Sequence, residues 1–385
     1  MSARMNTQAK LAVLAAGGTG GHLFPARALA DELQRHDVAL ALITDRRAAG
    51  ISGALANIDV HRIRASGISG RNIFRRIAAT FSLAVGFLEA AMLLRRLKPD
   101  VVIGFGSYAS VPTVAAAALL GFRTIIHEQN AILGRANRFL APRVTRIATA
   151  FEFAANLRAK DRQKAIWTGN PVRPEIIALA GQPYPQIEAD GPIQILVFGG
   201  SQGATVFSDV VPKALALLPE QERQRLRIVQ QCRAEDIEDV KSSYRHSKIT
   251  AELSPFFNDM AERISAAHLV ICRSGASTLA EIATAGRPAI LVPFPHAIDD
   301  HQTRNAQGLC DAGGGWMIPQ DAFTPETLAN RLKSLFSIDR TLESAAKCAT
   351  KIGMSEAAQK LAVLVMDTLN ADQDGNRTTA KGVAA

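Results

Sequence analysis

Aromatic side chains make up only 5% of the 385 residues, and no run of five or six like charges occurs. A surface that stacks nucleic-acid bases needs rings and dense cationic tracts, so such a platform is poorly supported. Cysteine is sparse as well: Cys232, Cys272, Cys310 and Cys348 stand far apart. That spacing suits neither a disulfide framework nor a zinc knuckle, and the four read as reduced thiols of a cytoplasmic protein. The first nine residues lack the apolar core of a signal peptide. A long apolar segment at 73–97 tempts a transmembrane reading over its middle, but Glu89 lies within it. A span there would also cut between strands of one sheet, so the segment is expected to pack on that sheet as a helix.

What is present is ordinary for a globular protein: 48% hydrophobic and 21% charged residues, in a chain long enough for two full cores. The formal charge of +9 points to an anionic partner, whether nucleotide, nucleic acid or anionic lipid.

The apolar run Leu11-Ala12-Val13-Leu14-Ala15 closes on Gly17-Gly18-Thr19-Gly20-Gly21-His22, and residues 26–33, after Pro25, have helical composition. The glycines are therefore expected in a strand-to-helix turn, where a ligand can approach bare backbone and the helix dipole favours negative charge. The pattern is neither Gly-x-Gly-x-x-Gly nor a Walker loop, and a turn that merely connects strand and helix fits it equally well. The device recurs: Ile193-Gln194-Ile195-Leu196-Val197-Phe198 leads into Gly199-Gly200-Ser201-Gln202-Gly203-Ala204 and then helical sequence. Two such openings, one per half, predict an α/β protein of two similar domains facing one cleft. The expected division is 1–180, a proline-containing linker at 181–192, and 193–354. A final amphipathic helix is expected at 355–370, with a disordered polar tail at 371–385.

Further strands are expected at 38–44, 101–105, 124–126, 144–148, 166–168, 227–229, 269–272 and 289–292. Polar motifs follow several of them, at 106–110 and at His127-Glu128-Gln129-Asn130, on the sheet edge where ligands bind in open α/β folds. After Cys272 comes Arg273-Ser274-Gly275-Ala276-Ser277-Thr278-Leu279-Ala280-Glu281. Its small residues leave helix N–H groups open to a diphosphate, and Glu281, two turns along, could accept both hydroxyls of a ribose. A solvated helix carboxylate is the competing reading. Gln302 could pair with sugar hydroxyls or simply be an exposed loop glutamine. His296 and His301 beside Asp299 and Asp300 show no ordered metal-ligand spacing, so no metal is expected. Ile73, Phe74 and Ile77 among Arg71, Arg75 and Arg76 look like a basic-apolar patch of a peripheral membrane protein, or else ordinary solvated helix charges.

Taken together, the stretches 17–25, 127–130, 169–173, 199–204, 273–281 and 299–306 closely resemble the MurG family. These are the bacterial UDP-N-acetylglucosamine:N-acetylmuramyl-(pentapeptide)-pyrophosphoryl-undecaprenol N-acetylglucosaminyltransferases. The likeness runs in order over roughly residues 10 to 370 and is specific, because six separated motifs agree. It implies a GT-B fold: two Rossmann-like domains with a cleft between them and a C-terminal helix crossing back to the first. It implies an inverting, cofactor-free and metal-independent transfer of N-acetylglucosamine from UDP-GlcNAc to the C4 hydroxyl of a polyprenyl-linked muramyl-pentapeptide, in peptidoglycan synthesis. The setting would be peripheral, on the cytoplasmic side of the inner membrane, with the first domain carrying the acceptor and the membrane patch.

Carried over by position, the resemblance implies a substrate site of Thr19, Gly20, Gly21, Asn130, Arg173, Ser201, Phe257, Ala276, Ser277, Thr278, Leu279, Ala280, Glu281 and Gln302. Glu281 would hold the ribose, Ser201 the diphosphate, and Asn130 and Gln302 the sugar. Phe257 stands where the family often has isoleucine, at a uracil contact made by backbone. Inversion needs the acceptor hydroxyl deprotonated as it attacks and the charge on leaving UDP neutralised. His22 is the candidate base, since imidazole titrates near neutral pH; a merely orienting or turn-capping role is the alternative. A nicotinamide oxidoreductase would need a proper dinucleotide fingerprint, which neither turn supplies. A non-catalytic nucleotide-sugar or lipid-carrier binding module, and a GT-B transferase acting on another lipid or small-molecule acceptor, remain the alternatives.

Overall fold

The computed structural model describes residues 10–17, 20–45, 58–65, 73–188, 190–200, 203–338 and 340–379, with backbone alone at 20, 73–79 and 371–379. The chain divides into two compact units, Met1–Pro171 with Glu356–Ala385, and Val172–Ser355.

In unit 1 the order is β1 (Leu11–Ala15), α1 (Gly20–Arg35), β2 (Ala39–Asp45), β3 (Asp59–Ile63), α2 (Ile73–Leu97), β4 (Val101–Gly104), α3 (Ser107–Leu119), β5 (Arg123–Glu128), α4 (Arg135–Leu140), β6 (Arg146–Thr149) and β7 (Ala165–Trp167). Unit 2 holds α5 (Pro174–Ile177), β8 (Ile193–Phe198), α6 (Thr205–Ala216), α7 (Glu220–Arg225), β9 (Leu226–Gln231), α8 (Ile237–His246) and β10 (Thr250–Ser254). It continues with α9 (Met260–Ala266), β11 (Leu269–Cys272), α10 (Ala276–Thr284), β12 (Ala289–Leu291), α11 (His301–Asp311), β13 (Gly315–Met317), α12 (Pro325–Ser337) and α13 (Thr341–Ile352). Helix α14 (Ala357–Thr379) then belongs to unit 1 again.

Each unit is built on one parallel sheet. The strand orders are β3-β2-β1-β4-β5-β6-β7 and β10-β9-β8-β11-β12-β13, the doubly wound arrangement in which connections reverse direction beside the first strand. Strands buried on both faces must be apolar at every position, because successive side chains alternate between faces. In β1, Ala12 and Leu14 enter the layer under α1 and α14, whereas Val13 and Ala15 enter the layer under α2 and α3. Likewise Ile195 and Val197 of β8 face one layer of unit 2, and Leu196 and Phe198 the other.

Helix α14 returns to unit 1 by burying Leu361, Ala362, Leu364, Val365 and Leu369 in the layer that α1 covers. Each large side chain among them contributes about 1.5–3 kcal/mol. Lys10 Nζ and Arg123 Nη1 donate to the Leu369 carbonyl at 3.1 and 2.8 Å, holding the packed end of this helix. Its backbone continues as helix to Thr379, where a disordered tail is expected from 371.

Three expectations shift. Helix α1 begins at Gly20 rather than after Pro25, so Pro25 lies inside the helix, where its missing N–H removes the bond that position 25 would make to the Gly21 carbonyl. Residues 59–63, outside the strands expected from the sequence, form β3, whose Asp59, His61 and Arg62 suit a half-exposed edge strand. The chain passes between units at Pro171–Val172, ahead of the proline-rich stretch 181–192. That stretch lies on unit 2, where Tyr184 Oη donates to the His268 carbonyl at 2.8 Å and Ile187 packs on the core.

Candidate active site

In unit 1 the reversal point lies between β1 and β4, whose carboxyl ends feed α1 and α3. The two turns meet closely: a Cβ at Gly17 would sit 2.7 Å from Ser107 Oγ, so only glycine fits. Gly106 takes a φ of +80°, which glycine adopts freely. This geometry brings His22, in the first turn of α1, to Phe105. Its Nδ1 lies 2.8 Å from the Phe105 carbonyl. A carbonyl only accepts, so Nδ1 carries the proton and the lone pair of the neutral ring is on Nε2. Burial lowers the His22 pKa, against the opposing effects of the Phe105 carbonyl and the Gln129 side chain. The alternative of a turn cap is not what the ring does: its bond leaves its own helix for the loop after β4.

The carboxyl end of β5 lies beside it. Gln129 Nε2 donates to the same Phe105 carbonyl at 3.3 Å. His127 is buried, donates Nε2–H to the Gly169 carbonyl at 3.1 Å, and is pushed down to about 4 by desolvation, with the nearby His22 adding to the effect. Glu128 is buried too and gathers four donors: Asn130 N and Nδ2 on Oε1 at 3.0 and 3.2 Å, and Gly134 N and Asn137 Nδ2 on Oε2 at 2.8 and 2.9 Å. Burial raises its pKa while those donors lower it. This carboxylate shapes the loop that carries Asn130. In the sequence Glu128 stood only as part of the polar motif 127–130, with no role assigned to it.

In unit 2 the equivalent reversal lies between β8 and β11. The Gly199 N–H donates to Gln231 Oε1 at 3.2 Å, and Gly200 takes a φ of +88°. Past β11, Gly275 is the N-cap of α10 and supplies no side-chain cap, and no acid stands in the first turn. A helix start of this kind suits an anion through its N–H groups and the positive end of its dipole. Of the expected stretch, Ala276 and Leu279 are buried, so Leu279 can offer only backbone, while Ser277, Thr278 and Ala280 are partly open.

Glu281 is 8% exposed, which excludes a solvated carboxylate. Arg173 meets it with a two-pronged ion pair, Nε to Oε1 at 2.8 Å and Nη2 to Oε2 at 2.9 Å. Burial raises the Glu281 pKa, Arg173 lowers it, and Glu175 raises it slightly. Thus two residues proposed from separate motifs are bonded to one another.

Gln302 lies in the first turn of α11, and its Oε1 accepts the Phe294 N–H at 2.9 Å. Its amide is thereby turned so that Nε2 is the group left to offer, a donor suited to a sugar oxygen. Phe257, past β10, is buried with Arg263 over its ring at 4.1 Å from the centroid, so a ligand there would meet backbone. His301 Nδ1 lies 2.8 Å from the Ile298 carbonyl and Asp300 Oδ1 accepts from Thr303 at 2.7 Å, so these side chains brace their own turn. Among the described residues no three His, Cys, Asp or Glu side chains converge as a metal site requires. Thr19, Ser201 and Arg71 lie outside the described residues; Gly20, Ile73, Phe74, Arg75, Arg76 and Ile77 are placed by backbone only.

Comparison with known proteins adds a second line. The family model described as glycosyltransferase family 28 N-terminal domain matches residues 12–149, and that of the C-terminal domain matches 194–361. A relative from Paramagnetospirillum magneticum is 52% identical over 362 residues, 94% of this chain and 98% of its own. Another, from Rhodospirillum rubrum, is 54% identical over 355 residues, 92% of this chain and 91% of its own. Both are named UDP-N-acetylglucosamine--N-acetylmuramyl-(pentapeptide) pyrophosphoryl-undecaprenol N-acetylglucosamine transferase. The crystal structure of Acinetobacter baumannii MurG superposes with a TM-score of 0.76 at 32% identity, covering 93% of this chain and 99% of that one.

Proposed function

The chain belongs to glycosyltransferase family 28, and from that premise we propose that it transfers N-acetylglucosamine from UDP-GlcNAc to the C4 hydroxyl of undecaprenyl-pyrophosphoryl-MurNAc-pentapeptide. The product is the lipid-linked disaccharide-pentapeptide used for peptidoglycan. What carries this reading is the likeness, at 52% and 54% identity over 94% and 92% of the chain, to transferases of one donor and one acceptor.

The acceptor C4 oxygen attacks the anomeric carbon. The new C–O bond forms as the bond to the UDP phosphate oxygen breaks, its electron pair leaving with UDP. His22 takes the hydroxyl proton on Nε2, for which its Nδ1–H bond to Phe105 prepares it. The N-terminus of α10 offsets charge growing on the diphosphate, and Glu281 holds the ribose hydroxyls. Gln302 donates to the transferred sugar, and Asn130, oriented by Glu128, serves the same sugar.

The acceptor's polyprenyl chain stays in the bilayer, so the enzyme comes to it as a peripheral protein on the cytoplasmic face. No helix among the described residues is long and apolar enough to cross a membrane. The patch beginning at Ile73, Phe74, Arg75 and Arg76 supports such a contact, and α2 continues it. Phe81, Leu88 and Met92 recur at helical spacing, are 68%, 61% and 63% exposed, and end beside exposed Arg95 and Arg96.

The test is UDP release from UDP-GlcNAc with and without the muramyl-pentapeptide lipid. Release that requires this acceptor supports the reading. Release with other acceptors only, or UDP-GlcNAc binding without turnover, overturns it.

A further inference from the structure

The Phe105 carbonyl, just past β4, accepts twice. His22 Nδ1–H reaches it at 2.8 Å from α1, and Gln129 Nε2–H reaches it at 3.3 Å from the loop after β5. Gln129 is 5% exposed, and the transfer described above gives it no part. We infer that Gln129 is a positioning residue for the base. It acts through His22, fixing the carbonyl that sets the tautomer and turning its own amide oxygen to the imidazolium that forms as the acceptor proton arrives. The inference rests on the reading of His22 as the base.

A carbonyl oxygen has two lone pairs, so the two donors saturate Phe105 and hold it from two sides. Because a carbonyl only accepts, the amide nitrogen of Gln129 faces Phe105 and Oε1 is left as the other prong. The Gln129 side chain favours the charged form of His22, and of the two amide heavy atoms only the oxygen can do so. Taking up a proton is otherwise costly here. Desolvation is the largest influence on His22, and no described carboxylate offsets it. Two neutral oxygens, of Phe105 and Gln129, therefore stand where a Ser-His-Asp triad places an ionised acid.

The charges nearby do not replace them. Helix α1 itself carries Arg27, Asp31, Glu32 and Arg35; it packs on α14, with Lys360 and Asp367, and on β2, which ends at Asp45. Elements α3, β5 and α4 add Tyr108, then Arg123, His127 and Glu128, then Arg135 and Arg138. Of these described groups only His127 is coupled to His22 by charge. The His22 charge lowers the His127 pKa, so His127 protonates second and is neutral while His22 titrates.

Steady-state kinetics with UDP-GlcNAc and the muramyl-pentapeptide lipid test this on the full chain, between about pH 5 and 8. The chains compared are wild type, Gln129→Met, Gln129→Glu, His22→Ala, and His22→Ala combined with Gln129→Met. Thermal melts establish which are folded, and Gln129→Glu by itself already reads the sign of the pH shift. Gln129→Met should lose about tenfold in kcat/KM at neutral pH, as for one hydrogen bond to a charged group, while UDP affinity changes by less than about twofold. Its acid limb should move to lower pH, because a ring without that acceptor becomes charged only at lower pH. Gln129→Glu keeps an oxygen toward the ring and should hold the limb at or above its wild-type position. In the His22→Ala background, Gln129→Met should change the residual rate by less than about twofold, since its effect passes through the ring. Similar losses in both backgrounds, an unmoved limb in Gln129→Met, or a lowered one in Gln129→Glu would overturn the proposal while leaving His22 as the base. Wild-type turnover by His22→Ala would remove the His22 reading and this proposal together.

Discussion

His22 gives its Nδ1–H to the main-chain carbonyl of Phe105 at 2.8 Å, across 83 residues of sequence. That single bond sets the tautomer, and the tautomer puts the lone pair on the nitrogen that a general base must use. Burial adds a second effect, lowering the pKa so that the ring stays neutral on the acid side of pH 6.5.

His22→Ala should therefore lower turnover by about 10²–10⁴ with UDP affinity near that of wild type. The acid limb of kcat/KM for the wild type should fall below the ordinary histidine range, since the base is lost only as pH drops through a depressed pKa. An acid limb above pH 6.5, or a variant changed only in donor KM, would make His22 a binding residue.

His127 should make the fold acid-sensitive. Its pKa is about 4 in the folded chain against 6.5 unfolded, so between those values only the unfolded chain binds the proton. Stability contributed by the neutral ring is complete above about pH 6.5 and declines by about 3 kcal/mol on acidification to about pH 4. Glu128 and Glu281, with raised pKa values, act in the opposite direction over the acid range. The comparison to make is thus between wild type and His127→Gln in urea titrations from neutral to acid pH. The variant should show the flatter profile; parallel profiles would refute the assignment.

Arg287 is fully buried and donates to four carbonyls, Ile264 and Ser265 at the end of α9, Ala285 and Gly286 at the end of α10. It ties together the last turns of two helices, one of which carries Glu281. Arg287→Leu strands those carbonyls and should cost on the order of 3 kcal/mol in chemical denaturation. A loss below about 0.5 kcal/mol, the range of surface changes, would mean that water replaces the guanidinium.

The exposed stripe of α2 should bind anionic vesicles. Replacing Phe81, Leu88 and Met92 together by Gln removes apolar contact, whereas Arg75→Ser with Arg76→Ser removes charges worth about 1 kcal/mol each near anionic lipid. Sedimentation should fall for both variants, with only the apolar variant keeping the wild-type salt dependence. If both sediment as wild type does at low salt, the membrane surface lies elsewhere.

The amino-acid sequence alone determined the parts of this protein whose signals are local. Strands β8 and β11 coincide with their apolar runs because a strand buried on both faces must be apolar throughout. The α10 start and the two-sheet architecture were legible from local signals as well, and six motifs carried the family. Edge strands such as β3 and β10 were not legible, since Asp59, Arg62, Thr250 and Glu252 become strand only by pairing with a neighbour. Nor did any spacing announce that Arg173 would be bonded to Glu281, or that Phe105 would fix the His22 tautomer. Those contacts join residues 108 and 83 positions apart, so they exist only once each sheet has closed and its strand ends have converged. Burial, which raises the pKa of Glu281 and lowers that of His22, is likewise a property of the packed whole and of no residue by itself.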